Sequence, residues 1–332
     1  MPPMSPAARF HRAVQLAFLL FMAWVGWRFF LHARWAMGQS EVFVARPPSV
    51  EGFLPISALL AARRLFAGGG WDVVHPAGLC ILLVALASAL LLRKGFCGFL
   101  CPVGAVSHLL FRLGGRLGLA VAVPARFAWM LAVPKYLLLA FFLKAVIFSM
   151  SLPQIEGFLH SRYNLVADTK MLLFFLPPGR LTCAVLIAVT LGSLWIPSLW
   201  CRSLCPYGAL LGLFSLFSPM ALRRDEALCV QCGRCADNCP LGLSPNRVRR
   251  VGSPDCTGCQ ECAAACPRPG CLGLSLGYRT SRRLPWWTTG ALTVGLLLAV
   301  HLWALATGHW FSAIPVEMVR ALHVGIETLT HH

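Results

Sequence analysis

The stretch GFCGFLCPVGA at residues 95–105 closes an apolar run with two cysteines four positions apart and then a proline. WCRSLCPYGALLG at 200–212 repeats the arrangement 104 residues later. Cysteines at i and i+4 fall on one face of a helix, so each pair can offer two thiolates to one acceptor. The likeness extends upstream, where VEGFLPISALL (50–60) precedes the first pair and IEGFLHSRYNL (155–165) precedes the second. Between them lies an apolar span with one early cysteine, Cys80 in the first copy and Cys183 in the second. E-G-F-L followed by C-x3-C-P-x-G-A, in the same order twice, indicates a duplicated unit. Both copies contain two spans and so share one orientation. A pseudo-twofold axis along the membrane normal relates such repeats and can bring the two thiol pairs face to face.

Hydrophobic residues make up 58% of the 332 positions and charged residues 12%, far from the balance of a soluble domain. A bilayer core of ~30 Å takes roughly 20 helical residues. Apolar runs of that order fall near 13–31, 128–150, 181–200 and 286–306, with a shorter one near 77–92. The expected fold is an all-α integral membrane protein of about five transmembrane helices with a small soluble α+β insert. The first run continues past Trp24, Trp27 and Arg28 without a small-residue cleavage site, so it is expected to remain as an anchor.

Charge placement sets the expected topology. With the N-terminus inside, the inner stretches 1–12, 93–127 and 201–285 carry 18 Lys and Arg, and the outer stretches 33–76, 151–180 and 307–332 carry 8. That asymmetry is the ordinary orientation signal. The net charge of +17 therefore reflects topology, and no nucleic-acid partner is expected. The tail after the last span should lie outside. Its stripe of Val319, Leu322, Ile326 and Leu329 suits a membrane surface or a partner.

Residues 221–285 break the apolar pattern and hold CVQCGRCADNCP (229–240) and CTGCQECAAACP (256–267). Both match C-x2-C-x2-C-x3-C-P, the run that binds [4Fe–4S] clusters, in which the fourth cysteine serves the other cluster. One cluster is expected on Cys229, Cys232, Cys235 and Cys266, and the second on Cys256, Cys259, Cys262 and Cys239. Zinc also accepts C-x2-C, but two complete copies of the longer run favour clusters. On the inner side thiols stay reduced, which favours metal over disulfides. The chain thus divides into membrane repeat 1 (1–122), membrane repeat 2 (123–220), a double-cluster insert (221–285), and a fifth span with its outer tail (286–332).

Cys97, Cys101, Cys201 and Cys205 would suit a third cubane at the repeat axis; the plain alternative is packing between helices. Cys80 and Cys183 sit deep in spans and are expected to pack, and Cys271 has no ligand pattern and reads as a spare thiol. Glu51 and Glu156 occupy equivalent repeat positions. Quinol oxidation needs a proton acceptor and an apolar slot, which this pair could serve, or each could brace a re-entrant helix. Lys135 and Lys144 can snorkel, and His301 has no obvious partner histidine for haem. Neither a P-loop nor a Rossmann fingerprint is present.

With these motifs the chain resembles the membrane polyferredoxins of the NapH and MauN type, and it is similar to the C-terminal membrane part of NosR and to CcoG. The shared elements are the paired C-x3-C-P sequences, four spans and the double-cluster insert, over residues 13–267. The resemblance implies a multi-pass protein of the bacterial inner membrane that passes electrons between the quinone pool or a cytoplasmic donor and a redox partner. The insert would be cytoplasmic and the C-terminus periplasmic. The fifth span and outer tail depart from the NapH pattern, which puts a nitrate-specific role in doubt. Two other readings stay open: a reductase serving assembly of a metalloenzyme, and a membrane anchor with structural clusters. An electron-transfer subunit fits better than a stand-alone enzyme. Inner-face clusters cannot reach an outer acceptor across ~30 Å of hydrocarbon in one step, so a partner or a further cofactor would supply the crossing.

Overall fold

The computed structural model describes residues 5–121, 125–277 and 282–326. Leu329 of the tail stripe and the expected repeat boundary at 122–123 lie outside these residues. Among the described residues, three helices are long and apolar enough to cross a membrane: Pro6–Ala36, Trp129–Ser149 and Thr288–Ala306. The run near 77–92 forms a shorter apolar helix, Pro76–Leu92. In place of one straight span near 181–200, the helices Ala167–Phe175 and Arg180–Trp195 meet at 76°. Pro177, Pro178 and Gly179 separate them, and consecutive prolines without N–H groups cannot continue a helix.

The residues cluster into two compact units. One combines Met1–Leu20, Val84–Leu139 and Val185–Leu296; the other combines Phe21–Leu83, Ala140–Ala184 and Leu297–His332. Each unit takes segments from both sequence copies.

In the first unit the two C-x3-C-P sequences fold alike at their ends. Phe96–Leu100 makes one wide π-helical turn, Cys101 is extended (φ −71°, ψ 119°), and Pro102 opens the helix Pro102–Arg116. In the second copy Leu199–Ser203 makes a helical turn, Cys205 is extended (φ −77°, ψ 103°), and Pro206 opens Pro206–Ser215. Proline excludes the residue before it from the helical region and is well suited to the first helical position. The second cysteine of each pair therefore stands at the N-cap of the next helix, and the Cys205 sulfur accepts from the Gly208 amide at 3.2 Å. The glycine of C-P-x-G has its own reason. A Cβ on Gly104 would stand 2.6 Å from the Cys97 carbonyl oxygen, and one on Gly208 would stand 3.4 Å from Cys205 Sγ.

The insert belongs to the same unit. Its antiparallel strands β1 (Met220–Arg224), β2 (Arg250–Val251), β3 (Leu272–Leu276) and β4 (Arg282–Arg283) lie in the order β2-β1-β3-β4. Leu222 pairs with both Val251 and Leu274, and Leu222, Val251 and Leu272 pack with Cys256 and Cys262. Two short helices, Arg234–Asp237 and Glu261–Ala264, carry the third cysteine of each run.

Arg93 ties the insert to the end of Pro76–Leu92. It is 1% exposed, and its guanidinium donates to the carbonyls of Ser215 (3.1 Å), Val251 (3.2 Å) and Ser253 (2.6 Å). Its backbone is left-handed at φ 63°, a conformation that persists only where the surroundings over-determine it. Hydrogen bonds to a charged group contribute about 1.5–3 kcal/mol each, and orphaned carbonyls add their own cost. Arg93→Leu is therefore expected to weaken the docking of the insert by about 3–5 kcal/mol. Limited proteolysis of detergent-solubilised protein should release the 221–285 fragment from the variant first; equal protection in both proteins would refute the assignment.

Candidate metal centres

Each C-x2-C loop in the insert is wound by left-handed residues on both sides of its second cysteine. Gln231 (φ 54°) and Gly233 (φ 76°) flank Cys232, while Gly258 (φ 68°) and Gln260 (φ 61°) flank Cys259. Such reversals turn successive amides into an anion-binding concavity. Two cavities result. Cys229, Cys232, Cys235 and Cys266 line one, together with Arg224 and Cys271; Cys239, Cys256, Cys259 and Cys262 line the other. The first is open to solvent at Cys232, whereas all four cysteines of the second are buried.

The electrostatics differ accordingly. Burial pushes the Cys239 thiol up to about 11 and the Cys262 thiol well up, with neighbouring cysteines adding to the rise. The Gln231 amide and the Arg224 side chain hold the Cys229 thiol below its ordinary range. Buried thiols that repel one another's anionic forms suit a donor set for a cation. Among the described residues no three His, Cys, Asp or Glu side chains draw together as one ion requires. A cubane offers a separate iron to each thiolate and takes a wider set.

The C-x3-C-P cysteines share one electrostatic neighbourhood. Burial pushes the Cys97 thiol up to about 12, opposed by Lys94 and reinforced by Cys101 and Cys205. Burial also raises Cys201, with Cys101, Cys205 and Cys97 adding to the rise in that order. This donor set fits a metal cluster by the same chemistry. Lys94 is the cation beside it, and charge on Cys97, Cys201 and Cys205 raises that lysine further.

This neighbourhood abuts the buried insert site. A Cβ on Gly98, between Cys97 and Cys101, would stand 2.8 Å from Thr257 Cβ, between Cys256 and Cys259. His11 bridges the two loops, with Nδ1 2.7 Å from Glu261 Oε1 and Nε2 2.9 Å from the Gly98 carbonyl. Both ring nitrogens thus face oxygen atoms. Gln15 donates to the same carbonyl at 2.8 Å. Burial alone would raise the Glu261 carboxyl, but His11, Arg112 and Arg12 bring it down to about 2.

Lys135 differs from its expected snorkelling position. It is fully buried, its Nζ lies 2.6 Å from Asp255 Oδ1, and Lys94 approaches the same oxygen at 3.7 Å. A carboxylate beside Cys256 supplies the partner that spares this lysine a reach to the interface. Lys144 is exposed. Sequence reasoning passed over His11, Gln15, Lys94, Asp255 and Glu261, although the position of Asp255 and Glu261 within two residues of ligand cysteines was a usable signal.

The two repeat glutamates lie in the second unit in different surroundings. Glu51 is fully buried, accepting from Arg46 NH1 at 2.7 Å and from the Gly78 amide at 2.9 Å, while Arg46 Nε reaches Asp168 at 2.6 Å. Glu156 is half-exposed and accepts from Arg64 Nε at 2.6 Å. Phe53 and Leu54 of the first E-G-F-L and Phe158 of the second line one cavity of about 960 Å³, whose lining includes neither glutamate. Cys80 is buried among Ala77, Ala304 and Trp310, and Cys183 donates to the Pro178 carbonyl. His301 packs edge-on against Trp310 at 4.3 Å.

Comparison with known proteins bears on the same segments. Residues 74–119 and 176–224 match the family model of a 4Fe-4S binding domain, and residues 221–267 match that of a 4Fe-4S dicluster domain. A protein of Escherichia coli named for electron transport, YccM, is 36% identical over 322 residues, covering 95% of this chain and 90% of that protein. Protein NirI of Paracoccus denitrificans is 30% identical over 233 residues, 67% of this chain and 32% of NirI. The methylamine utilization ferredoxin-type protein MauN of the same organism is 30% identical over 177 residues, 52% of this chain and 58% of MauN. No solved structure matches.

Proposed function

The chain belongs to the NapH/MauN-type family of iron-sulfur membrane polyferredoxins, and from that premise we propose that it relays electrons through three contiguous [4Fe–4S] sites. The proposed ligand sets are Cys229, Cys232, Cys235 and Cys266; Cys256, Cys259, Cys262 and Cys239; and Cys97, Cys101, Cys201 and Cys205. The contact of the Gly98 turn with the Thr257 loop carries this reading, because it sets the C-x3-C-P cysteines directly against the buried insert site. Bound cubane clusters supply one-electron transfer between fixed positions. Cys232 opens the outermost site to a soluble redox partner, and burial keeps water from the middle one. His11, held between Glu261 and the Gly98 carbonyl, fixes the spacing of the two inner loops.

We also propose a quinone site in the second unit, from which a partner or a further cofactor carries electrons to the inner-face clusters. The cavity of about 960 Å³ gives an apolar slot lined by residues of both E-G-F-L segments, of the size that small-molecule sites take. Glu156, two residues before the lining Phe158, stands half-exposed to receive a proton, and Glu51 holds Arg46. The positive-inside asymmetry supports an orientation with the N-terminus and insert in the cytoplasm and the tail on the periplasmic side of a bacterial inner membrane. The division into repeats 1–122 and 123–220, insert 221–285 and final span 286–332 is the organisation we propose for the parts.

One experiment tests both readings. In inner-membrane vesicles that retain the crossing partner or cofactor, a short-chain quinol is added anaerobically and reduction of the oxidised insert is followed by EPR. Glu156→Gln is expected to slow this reduction about 100-fold or more, the usual range for losing an acid-base group. Cys97→Ser/Cys201→Ser should abolish it, although dithionite still reduces the insert. Undiminished quinol reduction in the double-cysteine variant would remove the third site from the relay, and undiminished reduction in Glu156→Gln would remove the glutamate.

A further inference from the structure

The solvent-open insert cavity is lined by five thiols where a cubane needs four. Cys271 lies beyond the dicluster match at 221–267 and outside both ligand spacings. It is nevertheless 2% exposed and lines the same cavity as Cys229, Cys232, Cys235 and Cys266. Its thiol donates to the Asp225 carbonyl at 3.6 Å, and the Cys266 and Cys229 thiols are its electrostatic neighbours.

The sheet fixes this position. The Asp225 amide donates to the Cys271 carbonyl at 2.7 Å, just beyond the pairing of Arg224 with Leu272. The Arg268 carbonyl then accepts from the Cys271 amide at 3.2 Å and from the Cys266 thiol at 3.5 Å. One carbonyl thus holds both cysteines at the mouth of the cavity. The other three thiols come from a single wound loop, and Cys229 is further kept by Gln231 and Arg224. Cys266 arrives alone from the second run, followed by Pro267, so it is the ligand most easily exchanged.

We propose that Cys271 is a working fifth thiol of this site: the replacement ligand for the iron that Cys266 holds. The proposal rests on the reading of Cys229, Cys232, Cys235 and Cys266 as a [4Fe–4S] site. At rest the Cys271 thiol donates to the Asp225 carbonyl. In the exchange an iron–sulfur bond to Cys271 forms as the bond to Cys266 breaks. The proton leaving Cys271 passes to Cys266, and no electron moves.

Iron counts and EPR redox titrations on anaerobically purified full-length protein test this, with wild type, Cys266→Ala, Cys271→Ala and the double variant. Alanine cannot ligate iron, and the buried cluster's signal reports folding in every sample. Cys266→Ala is expected to keep the iron of the solvent-open site, and the double variant to lose about four irons. Cys271→Ala should keep its iron, because Cys266 holds it at rest. If Cys266→Ala loses as much iron as the double variant, the inference is overturned while the site reading stands. A wild type without the solvent-open cluster would sink both.

Discussion

Anaerobically purified protein is expected to contain about twelve irons per chain, and Cys97→Ser/Cys201→Ser about eight, with both insert clusters spared. Each C-x3-C-P ends in an extended cysteine that caps a helix opened by proline. Each is followed by a glycine where a Cβ would crowd the cysteine turn, most severely at Gly104. Simple packing would require neither device, since a small apolar residue fits as well as a thiol. Burial lifts Cys97 to about 12 and raises Cys101 and Cys201 beside it, so their thiolate forms need a neutralising cation, which a bound metal cluster would supply as the protons leave to solvent. At pH 7 a metal-free variant should keep them protonated and slow to alkylate, because a raised thiol pKa leaves little thiolate below it. An iron count that does not change on replacing Cys97 and Cys201 would end the third-site reading.

The second large effect concerns the crossing of ligands in the insert. Cys239→Ser is expected to remove the cluster held by Cys256, Cys259 and Cys262 and to leave that of Cys229, Cys232 and Cys235. Cys239 stands in the first run, yet it lines the second run's cavity, and Cys266 lines the first's. Burial and charge on Cys256 act on Cys239. Spectra of the reduced variant decide the matter, because the solvent-open site alone should respond to a soluble chelator or oxidant. Loss of the Cys229 cluster in its place would mean that each run closes on itself.

The C-x2-C-x2-C-x3-C-P runs were legible because their chemistry is local. Spacings of two and three residues determine which thiols one wound loop can present, and proline fixes the turn after the last. The C-x3-C-P-x-G sequences were legible for the same reason, since each residue acts on its immediate neighbours. Membrane character followed from composition, although the bend of 76° between Ala167–Phe175 and Arg180–Trp195 replaced one straight helix. Pro177 and Pro178 carried that signal, but its angle depends on packing.

Other parts of the site were decided only by tertiary contacts. His11 meets Glu261 across 250 positions, and Lys135 meets Asp255 across 120. From sequence alone Lys135 looked like a snorkelling lysine and Cys271 a spare thiol, since neither has a ligand or ion-pair partner at short spacing. The equivalence of Glu51 and Glu156 was visible in the repeat, but not that Arg46 would bury one and Arg64 leave the other half-exposed. Spacing along the chain determines which groups share a loop or a helix face. Which loop meets which depends on how the apolar faces and buried charges of distant segments are satisfied together, and only the folded arrangement fixes that.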